Sequence, residues 1–306
     1  MGFITKYGSL WGSIPQTAGR VFWVAAAADY TVEGRSYTAS DENDGLSPER
    51  AMVTLDAAVN AATSAGDVIV ALPGDHTTTA SLAMDTAGVT LTGLPSGTGN
   101  FLKQRASITG PAGDEAINVT AANIEIAHLT IVPITALTAI DFTADGDNLH
   151  IHDCHFDMAT PAADTGTIAI EALGAASKLL VQNCYFDSGG AQGDAIVATA
   201  TLDGVIQNSV FSCSAGSWAS VILCGAATDR LLIRDNDFIC SGTAITIGVN
   251  GTGATLASGV LCHRNVFGSL VGVGIDAFDA GEAELAENYA AGVGATDGGV
   301  LIVAIT

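Results

Sequence analysis

The sequence predicts an all-β solenoid in which short strands stack coil upon coil along one axis. The main evidence is a repeated segment, whose clearest copy is LHIHDCHF at 149–156. Four more copies follow: LLVQNCYF at 179–186, GVIQNSVF at 204–211, LLIRDNDF at 231–238 and VLCHRNVF at 260–267. Weaker copies near 89–96, 126 and 283–290 bring the total to about eight. A unit of this length that recurs so often is typical of solenoids.

The composition agrees with stacked strands and tight turns. The chain has 36 Gly among 306 residues, and only 14% of its residues are charged. Its 32 acidic and 10 basic residues give a net charge of −22, so we expect neither nucleic acid nor an anionic membrane as a partner. We expect no transmembrane helix, because no apolar run reaches 18 residues. The first residues lack the order of a signal peptide, so we expect no secretion.

Residues 1–37 are predicted to form an irregular N-terminal arm. They contain no copy of the repeat but hold seven of the 18 aromatic residues. Large aromatic side chains supply much of the contact energy at interfaces. We therefore predict that this arm docks on another protein, through Phe3, Tyr7, Trp11, Phe22, Trp23 and Tyr30. In the alternative interpretation, the arm folds back as a cover over its own solenoid.

Residues 38–88 are predicted to form a capping helix and the first coil. Ser47 followed by Pro48 resembles a helix start, and Gly66 is a natural helix stop. Apolar residues recur between them at helical spacing, at Leu55, Ala58, Val59 and Ala62. A short amphipathic helix of this kind would cover the apolar end of a solenoid.

Residues 89–306 are predicted to form the solenoid itself. Alternation along each strand places Leu149 and Ile151 inward and His150 and His152 outward. Equivalent residues of successive coils should stack, which predicts an aromatic ladder of Phe156, Phe186, Phe211, Phe238 and Phe267. We also predict a polar turn ladder of Asn183 and Asn208, flanked by Asp153 and Asp235, and buried free thiols at Cys154 and Cys184.

The entry segment of the solenoid resembles a known family. The residues that carry the resemblance are Asp41, Asn43–Gly45, Thr54–Leu55, Ala58, Gly66–Asp67 and Leu72–Gly74. They are similar to the first coil of pectate-lyase-like right-handed parallel β-helices. The resemblance covers about residues 38–306 and implies a right-handed parallel β-helix. It is a poor guide to function, because this fold carries lyases, hydrolases, adhesins and viral fibres.

The chain as a whole also resembles small β-helical structural proteins of tailed bacteriophages. This resemblance implies a non-enzymatic virion protein, assembled in the host cytoplasm, that acts as a capsid decoration or head-fibre protein. It further implies a homotrimer bound through its arm to the major capsid protein or another virion protein, a role compatible with adhesion to host surface glycans. We expect the apolar end of the chain to form the trimer interface, through Val300, Leu301, Ile302, Val303 and Ile305. The alternative is a tailspike or tail fibre with glycan-binding or polysaccharide-depolymerase activity.

We assign no catalytic residue from the sequence, although two carboxylate pairs suit glycoside hydrolysis. Asp157 and Asp187 follow the Phe ladder, and Asp141 and Glu171 occupy equivalent positions in successive coils. A lyase is disfavoured because Arg234 and Arg264 are not accompanied by an Asp-x-x-Asp-Asp cluster.

We expect no cofactor and no bound metal, although metal sites remain open. The best metal candidate is the group His150, His152 and His155, since His at i and i+2 share one face of a strand. Calcium at Asp145 and Asp147, or at Asp41–Asp44, is a further candidate.

Overall fold

The structure is a computed structural model of the 306-residue chain. It describes residues 19–94, 106–134, 138–143, 148–158, 167–173, 178–188, 191–199, 201, 203–213, 217–225, 228–240, 247–250, 260–268, 276–279, 284–291 and 299–301. Among these residues, no helix has the length and apolar character needed to cross a membrane.

The first elements are β1 (Val21–Val24), β2 (Asp29–Val32), β3 (Arg35–Thr38), a 3₁₀ turn (Pro48–Arg50) and helix α1 (Leu55–Ala61). Next come β4 (Val68–Ala71), β5 (Gly74–Thr77), β6 (Leu82–Met84), β7 (Thr90–Gly93), β8 (Ala106–Thr109), β9 (Ile117–Val119), β10 (Ile124–Ala127), β11 (Leu129–Val132), β12 (Ile140–Phe142), β13 (Asn148–His152), β14 (His155–Asp157), β15 (Ile170–Ala172) and β16 (Lys178–Gln182). The remaining strands are β17 (Tyr185–Ser188), β18 (Ala191–Gln192), β19 (Ile196–Ala198), β20 (Val205–Gln207), β21 (Val210–Cys213), β22 (Ser217–Trp218), β23 (Ser220–Cys224), β24 (Leu232–Arg234), β25 (Asp237–Cys240), β26 (Ile247–Asn250), β27 (Leu261–His263), β28 (Val266–Gly268), β29 (Asp276–Asp279), β30 (Glu284–Ala286), β31 (Asn288–Ala291) and β32 (Gly299–Leu301).

Most of these strands stack into three long sheets, around which the chain winds in the order A, B, C, while β2–β3 and β18–β22 form two separate pairs. Sheet A contains β1, β4, β7, β10, β13, β16, β20, β24, β27 and β30. Sheet B contains β5, β8, β11, β14, β17, β21, β25, β28, β31 and β32, and sheet C contains β6, β9, β12, β15, β19, β23, β26 and β29. The predicted right-handed parallel β-helix is confirmed. Sheet A has ten described strands and not the eight or so that the repeat predicted, because β1 and β4 precede the first copy of the repeat.

The interior of the β-helix contains the predicted aromatic ladder. The five Phe side chains are fully buried, and neighbouring ring centroids lie 4.6, 4.6, 5.0 and 4.4 Å apart along the axis. Adjacent ring planes differ by no more than 14°, so the rings stack in parallel. Cys154 and Cys184 are free and buried, as the sequence predicted.

The corner between sheets A and B has the same backbone conformation in coil after coil. One residue per coil has φ between 51° and 55°, in the left-handed region: His128, Asp153, Asn183, Asn208, Asp235, Arg264 and Glu287. The next residue points into the core. In the later coils this inner position holds Asn236, Asn265 and Asn288, which are fully buried. The buried amide ladder therefore lies one residue beyond the predicted one, since Asn183 and Asn208 are exposed.

The N-terminal boundary that we predicted at residue 37 is wrong for the described part of the arm. β1 pairs in parallel with β4 and is therefore a strand of sheet A. Phe22 and Trp23 within it are 3% and 0% exposed, so neither side chain is available for docking. The antiparallel hairpin β2–β3 lies beside them, and the Tyr30 hydroxyl donates to the Pro48 carbonyl at 2.5 Å. The β2–β3 hairpin thus covers the solenoid, as in our alternative interpretation, whereas β1 is part of the solenoid itself.

The capping helix begins later than the sequence suggested. Pro48 starts only a 3₁₀ turn, and α1 begins after Thr54, whose Oγ1 accepts a hydrogen bond from the Ala57 N–H at 3.2 Å. Asp41 supports this start, because its Oδ2 accepts a hydrogen bond from the Thr54 hydroxyl at 2.9 Å. The helix buries Leu55, Ala58 and Val59 against the end of the core.

The last described strand pairs within the chain. Residues Val300 and Leu301 lie in β32, which runs antiparallel to β31 at the end of sheet B. The other three predicted interface residues, Ile302, Val303 and Ile305, lie outside the described residues, as do Phe3, Tyr7 and Trp11 of the predicted docking arm. Docking and trimerisation through these residues stay predictions.

Candidate functional site

The outward face of sheet C carries a row of polar side chains on three successive coils. Asn118 on β9 is the register partner of Asp141 on β12, which is the partner of Glu171 on β15. The residues on either side of each point inward and are fully buried, for example Ile140 and Phe142 around Asp141. Strand alternation therefore forces the three polar side chains onto one surface. We call Asn118, Asp141 and Glu171, with the flanking Glu115 and Asp194, the carboxylate row.

Hydrogen bonds hold most members of the carboxylate row. The Thr138 hydroxyl donates to Glu171 Oε2 at 3.0 Å, and the Asn118 amide donates to Glu115 Oε1 at 2.8 Å. The Ser220 backbone N–H donates to Asp194 Oδ1 at 2.9 Å. The Oδ1 atoms of Asp141 and Asn118 are buried and have no hydrogen-bond partner among the described residues.

Asp141 is also the electrostatically unusual member of the row. Burial, together with the charges of Glu171 and Glu115, raises the pKa of Asp141 to about 6. Burial also raises the pKa of Asp194, although hydrogen bonds from Ser220 oppose the rise. A carboxyl group with a raised pKa next to a second carboxyl group is typical of sites that perform general acid–base catalysis.

The second carboxylate pair is on a different sheet. Asp157 and Asp187 are register partners, as their spacing predicted, but they lie on β14 and β17 of sheet B. The two candidate pairs therefore do not converge on one site. The strands of sheet C contain no Lys or Arg, whereas Arg234 and Arg264 lie on and beside sheet A. Among the described strands of sheet C, Asp141 and Glu171 thus have no basic partner.

The predicted histidine group is only partly assembled. His150 and His152 are both half-buried on the outward face of β13, with ring centroids 4.5 Å apart. His155 is buried on β14 in sheet B, beyond the corner, so it does not belong to the group. Two residues of the preceding coil join instead, namely Glu125 on β10 and His128 at the corner. Neither residue was predicted from the sequence, although register pairing with the weak copy near residue 126 was the signal that could have identified them.

His152 is hydrogen-bonded on both sides of its ring. Its Nε2 lies 2.8 Å from Glu125 Oε1, and its Nδ1 lies 2.7 Å from Asp153 Oδ2. Burial lowers the pKa of His152, but these two hydrogen bonds outweigh burial and raise the pKa to about 9. The hydrogen bond from His152 lowers the pKa of each carboxylate in turn. Burial lowers the pKa of His150.

Solved structures share this architecture over most of the length of the chain. Pectin methylesterase from Aspergillus niger has a TM-score of 0.59 at 16% identity, with 96% of this chain and 93% of that chain covered. The Escherichia coli protein ybhc has a TM-score of 0.57 at 12% identity, with 90% and 86% covered. Alginate lyase from Paenibacillus sp. str. FPU-7 has a TM-score of 0.53 at 14% identity, with 77% and 92% covered. No family model matches the sequence, and no curated protein matches it significantly.

At such low identities the likeness establishes the fold: the chain is a right-handed parallel β-helix of the kind found in polysaccharide-acting proteins. The expectation that the chain is not an enzyme is wrong, because structures that match most of its length are a pectin methylesterase and an alginate lyase. The resemblance to phage structural proteins stays a prediction.

Proposed function

We propose that the chain hydrolyses a polysaccharide, with Asp141 and Glu171 as its reacting groups. The observation that carries the proposal is the pKa of about 6 at Asp141, directly beside a second carboxyl group. Protonated Asp141 would donate its proton to the glycosidic oxygen as the bond to the anomeric carbon breaks. The Glu171 carboxylate would attack that carbon, and water would then release the sugar, with Asp141 accepting the proton from that water.

The spacing of the two residues favours this double displacement. Register partners on adjacent strands lie about 4.8 Å apart, and retaining glycosidases hold their carboxyl groups about 5–5.5 Å apart. The hydrogen bond from Thr138 occupies Glu171 Oε2 and leaves Oε1 for the sugar. We therefore propose retention of the anomeric configuration.

The charge of the site favours a neutral polysaccharide as the substrate. The chain carries a net charge of −22, and the carboxylate row places four of its acidic side chains on one face, without a Lys or Arg on the described strands of that sheet. A polyuronate would bring further negative charge to this surface and would be repelled.

The test is a reducing-end assay with the purified full chain on neutral and anionic polysaccharides. We expect activity on a neutral polymer, and a loss of about 100-fold or more in Asp141→Asn and Glu171→Gln. The matched control is Asp157→Asn, which removes a carboxylate of the register pair on sheet B and should keep full activity. Unchanged activity in Asp141→Asn, or no release of reducing ends from any neutral polymer, would reject the proposal.

We also propose that the chain is a homotrimeric tailspike or tail-fibre component of a virion, because the proposed hydrolysis favours this alternative over the decoration role that the resemblance to phage β-helical proteins implies. Phe3, Tyr7 and Trp11 would dock it on another virion protein, and its substrate would be a host surface glycan. Immunogold labelling of purified particles with an antibody to residues 106–268 tests the location. Label confined to the tail would support it, whereas label spread over the head would favour a decoration protein.

A further inference from the structure

A group of potential metal ligands lies on the outward face of sheet A, away from the carboxylate row. Glu125 on β10 and His150 on β13 are register partners, and His152 shares the face of His150. One ligand atom from each of these three residues lies within 4.8 Å of the other two. The side chains of His152 and Glu125 are 15% and 32% exposed, so an ion has access from solvent.

His152 and Glu125 already have the orientation that is typical of metal ligands. Metal-binding histidines usually donate one ring N–H to a carboxylate, which leaves the other nitrogen for the ion. His152 has this arrangement, because its Nδ1 lies 2.7 Å from Asp153 Oδ2 while its Nε2 faces Glu125. The Thr90 hydroxyl donates to Glu125 Oε2 at 3.1 Å and leaves Oε1 directed at the same point.

The third ligand carries the decisive observation. His150 Nε2 is buried and has no hydrogen-bond partner among the described residues. An ion pair between His152 and the two carboxylates satisfies those three side chains but leaves this nitrogen unpaired. Buried polar atoms nearly always have a partner, so an unpaired one beside two oriented ligands needs an explanation. A metal ion would supply the missing partner.

We propose that Glu125, His150 and His152 bind one divalent transition-metal ion of the zinc class. Two imidazole nitrogens and one carboxylate oxygen suit such an ion better than calcium or magnesium, which prefer oxygen ligands alone. Water would complete a tetrahedron from the solvent side. Ligands about 2.0–2.1 Å from a tetrahedral zinc ion stand about 3.3 Å apart, so the 2.8 Å contact between His152 Nε2 and Glu125 Oε1 needs to open only slightly.

The ion would join two successive coils, because Glu125 belongs to β10 and both histidines belong to β13. Asp153 is then a positioning residue, which acts on the ion through the ring of His152.

The test uses the untagged full chain, freed of metal with a chelator and then titrated with ZnCl₂ by calorimetry. We expect one zinc ion per chain, confirmed by elemental analysis after dialysis. Cobalt(II) should bind at the same site and give the strong visible absorption of a tetrahedral nitrogen–oxygen complex. The wild-type result alone can refute the proposal: if the wild-type chain binds no zinc, the proposal is overturned.

Variants identify the ligands. His150→Gln and Glu125→Gln should abolish stoichiometric binding, and Asp153→Asn should weaken binding by about 10–100-fold and alter the cobalt spectrum. The matched control is His263→Gln, because His263 lies on β27 of the same sheet and faces Glu287 at 3.1 Å. Unchanged zinc binding in His150→Gln, or equal loss in His263→Gln, would contradict the proposed site. Circular dichroism of each variant checks that the β-helix is intact.

Discussion

Asn265 is the centre of the buried amide ladder, and its replacement by Ala should destabilise the β-helix severely. Its Nδ2 donates to the Ile233 carbonyl at 2.9 Å, and its Oδ1 accepts from the Asn236 backbone N–H at 3.1 Å. Asn265→Ala removes these two bonds and the amide–amide bonds with Asn236 and Asn288, all inside a fully buried corner. The amides of Asn236 and Asn288 keep other partners, so the two groups left without one are the Ile233 carbonyl and the Asn236 backbone N–H. Each buried polar group that loses its partner costs about 1–3 kcal/mol, so the two groups together predict a loss of about 2–6 kcal/mol.

The matched control is Asn208→Gly, at the exposed position of an equivalent corner. Asn208 has φ of 51°, and glycine adopts that conformation without strain. We expect this variant to stay within about 1 kcal/mol of the wild type, as is usual for surface changes. The two variants thus compare loss of an amide inside the corner with loss of one outside.

The measurement is urea unfolding followed by circular dichroism, with the midpoint and slope recorded for the wild type and both variants. Equal slopes allow the midpoints to be compared as free energies. A shift of less than about 1 kcal/mol in Asn265→Ala would refute the reasoning, because it would mean that the corner relaxes and the amide bonds contribute little.

Three further predictions concern the core, the cap and the candidate site. Phe211→Ala should cost about 3–5 kcal/mol in denaturant unfolding, because the ring is fully buried between Phe186 and Phe238; a negligible loss would contradict the ladder. Thr54→Ala should cost about 1 kcal/mol in the same assay as the helix cap is lost, and no change would show that the cap is dispensable. For Asp141, the pKa of about 6 in the folded chain exceeds the pKa in the unfolded chain. At pH values between these two pKa values the folded chain binds more protons than the unfolded chain, so stability falls as the pH rises through this range. Asp141→Asn should reduce this fall in thermal melts at about pH 4 and about pH 7, and an identical pH profile would count against the raised pKa.

The repeat was sufficient to predict a solenoid of stacked strands, because it shows both the inward alternation and the stacking of equivalent residues, and the family resemblance then implied a parallel β-helix. Phe211 illustrates this, since its burial and its neighbours follow from the aligned copies alone. Trp23 illustrates the limit. Its strand β1 has no copy of the repeat, so only its pairing with β4 shows that it belongs to the solenoid.

The candidate site was predicted in part, for a related physical reason. Register paired Asp141 with Glu171, because both stand at equivalent positions in neighbouring coils. The burial that raises the pKa of Asp141 depends on surrounding segments and could not be derived from spacing. Likewise, His155 stands three residues after His152 in the sequence, but the left-handed corner at Asp153 turns it onto another sheet.

The constant corner between sheets A and B leaves the other two corners free to vary in length. From β10 to β31, one left-handed residue makes the turn from sheet A. In contrast, the connections from sheet B to sheet C differ in length: one consists of residues 133–139, and the next consists of residues 158–169. The connections from sheet C to sheet A also differ in length, from residues 143–147 in one coil to residues 251–260 in a later coil. Insertions therefore accumulate on both sides of the sheet that carries Asp141 and Glu171. The molecule is in this sense a modular scaffold, in which loops beside sheet C should be exchangeable without disturbing the stacked strands.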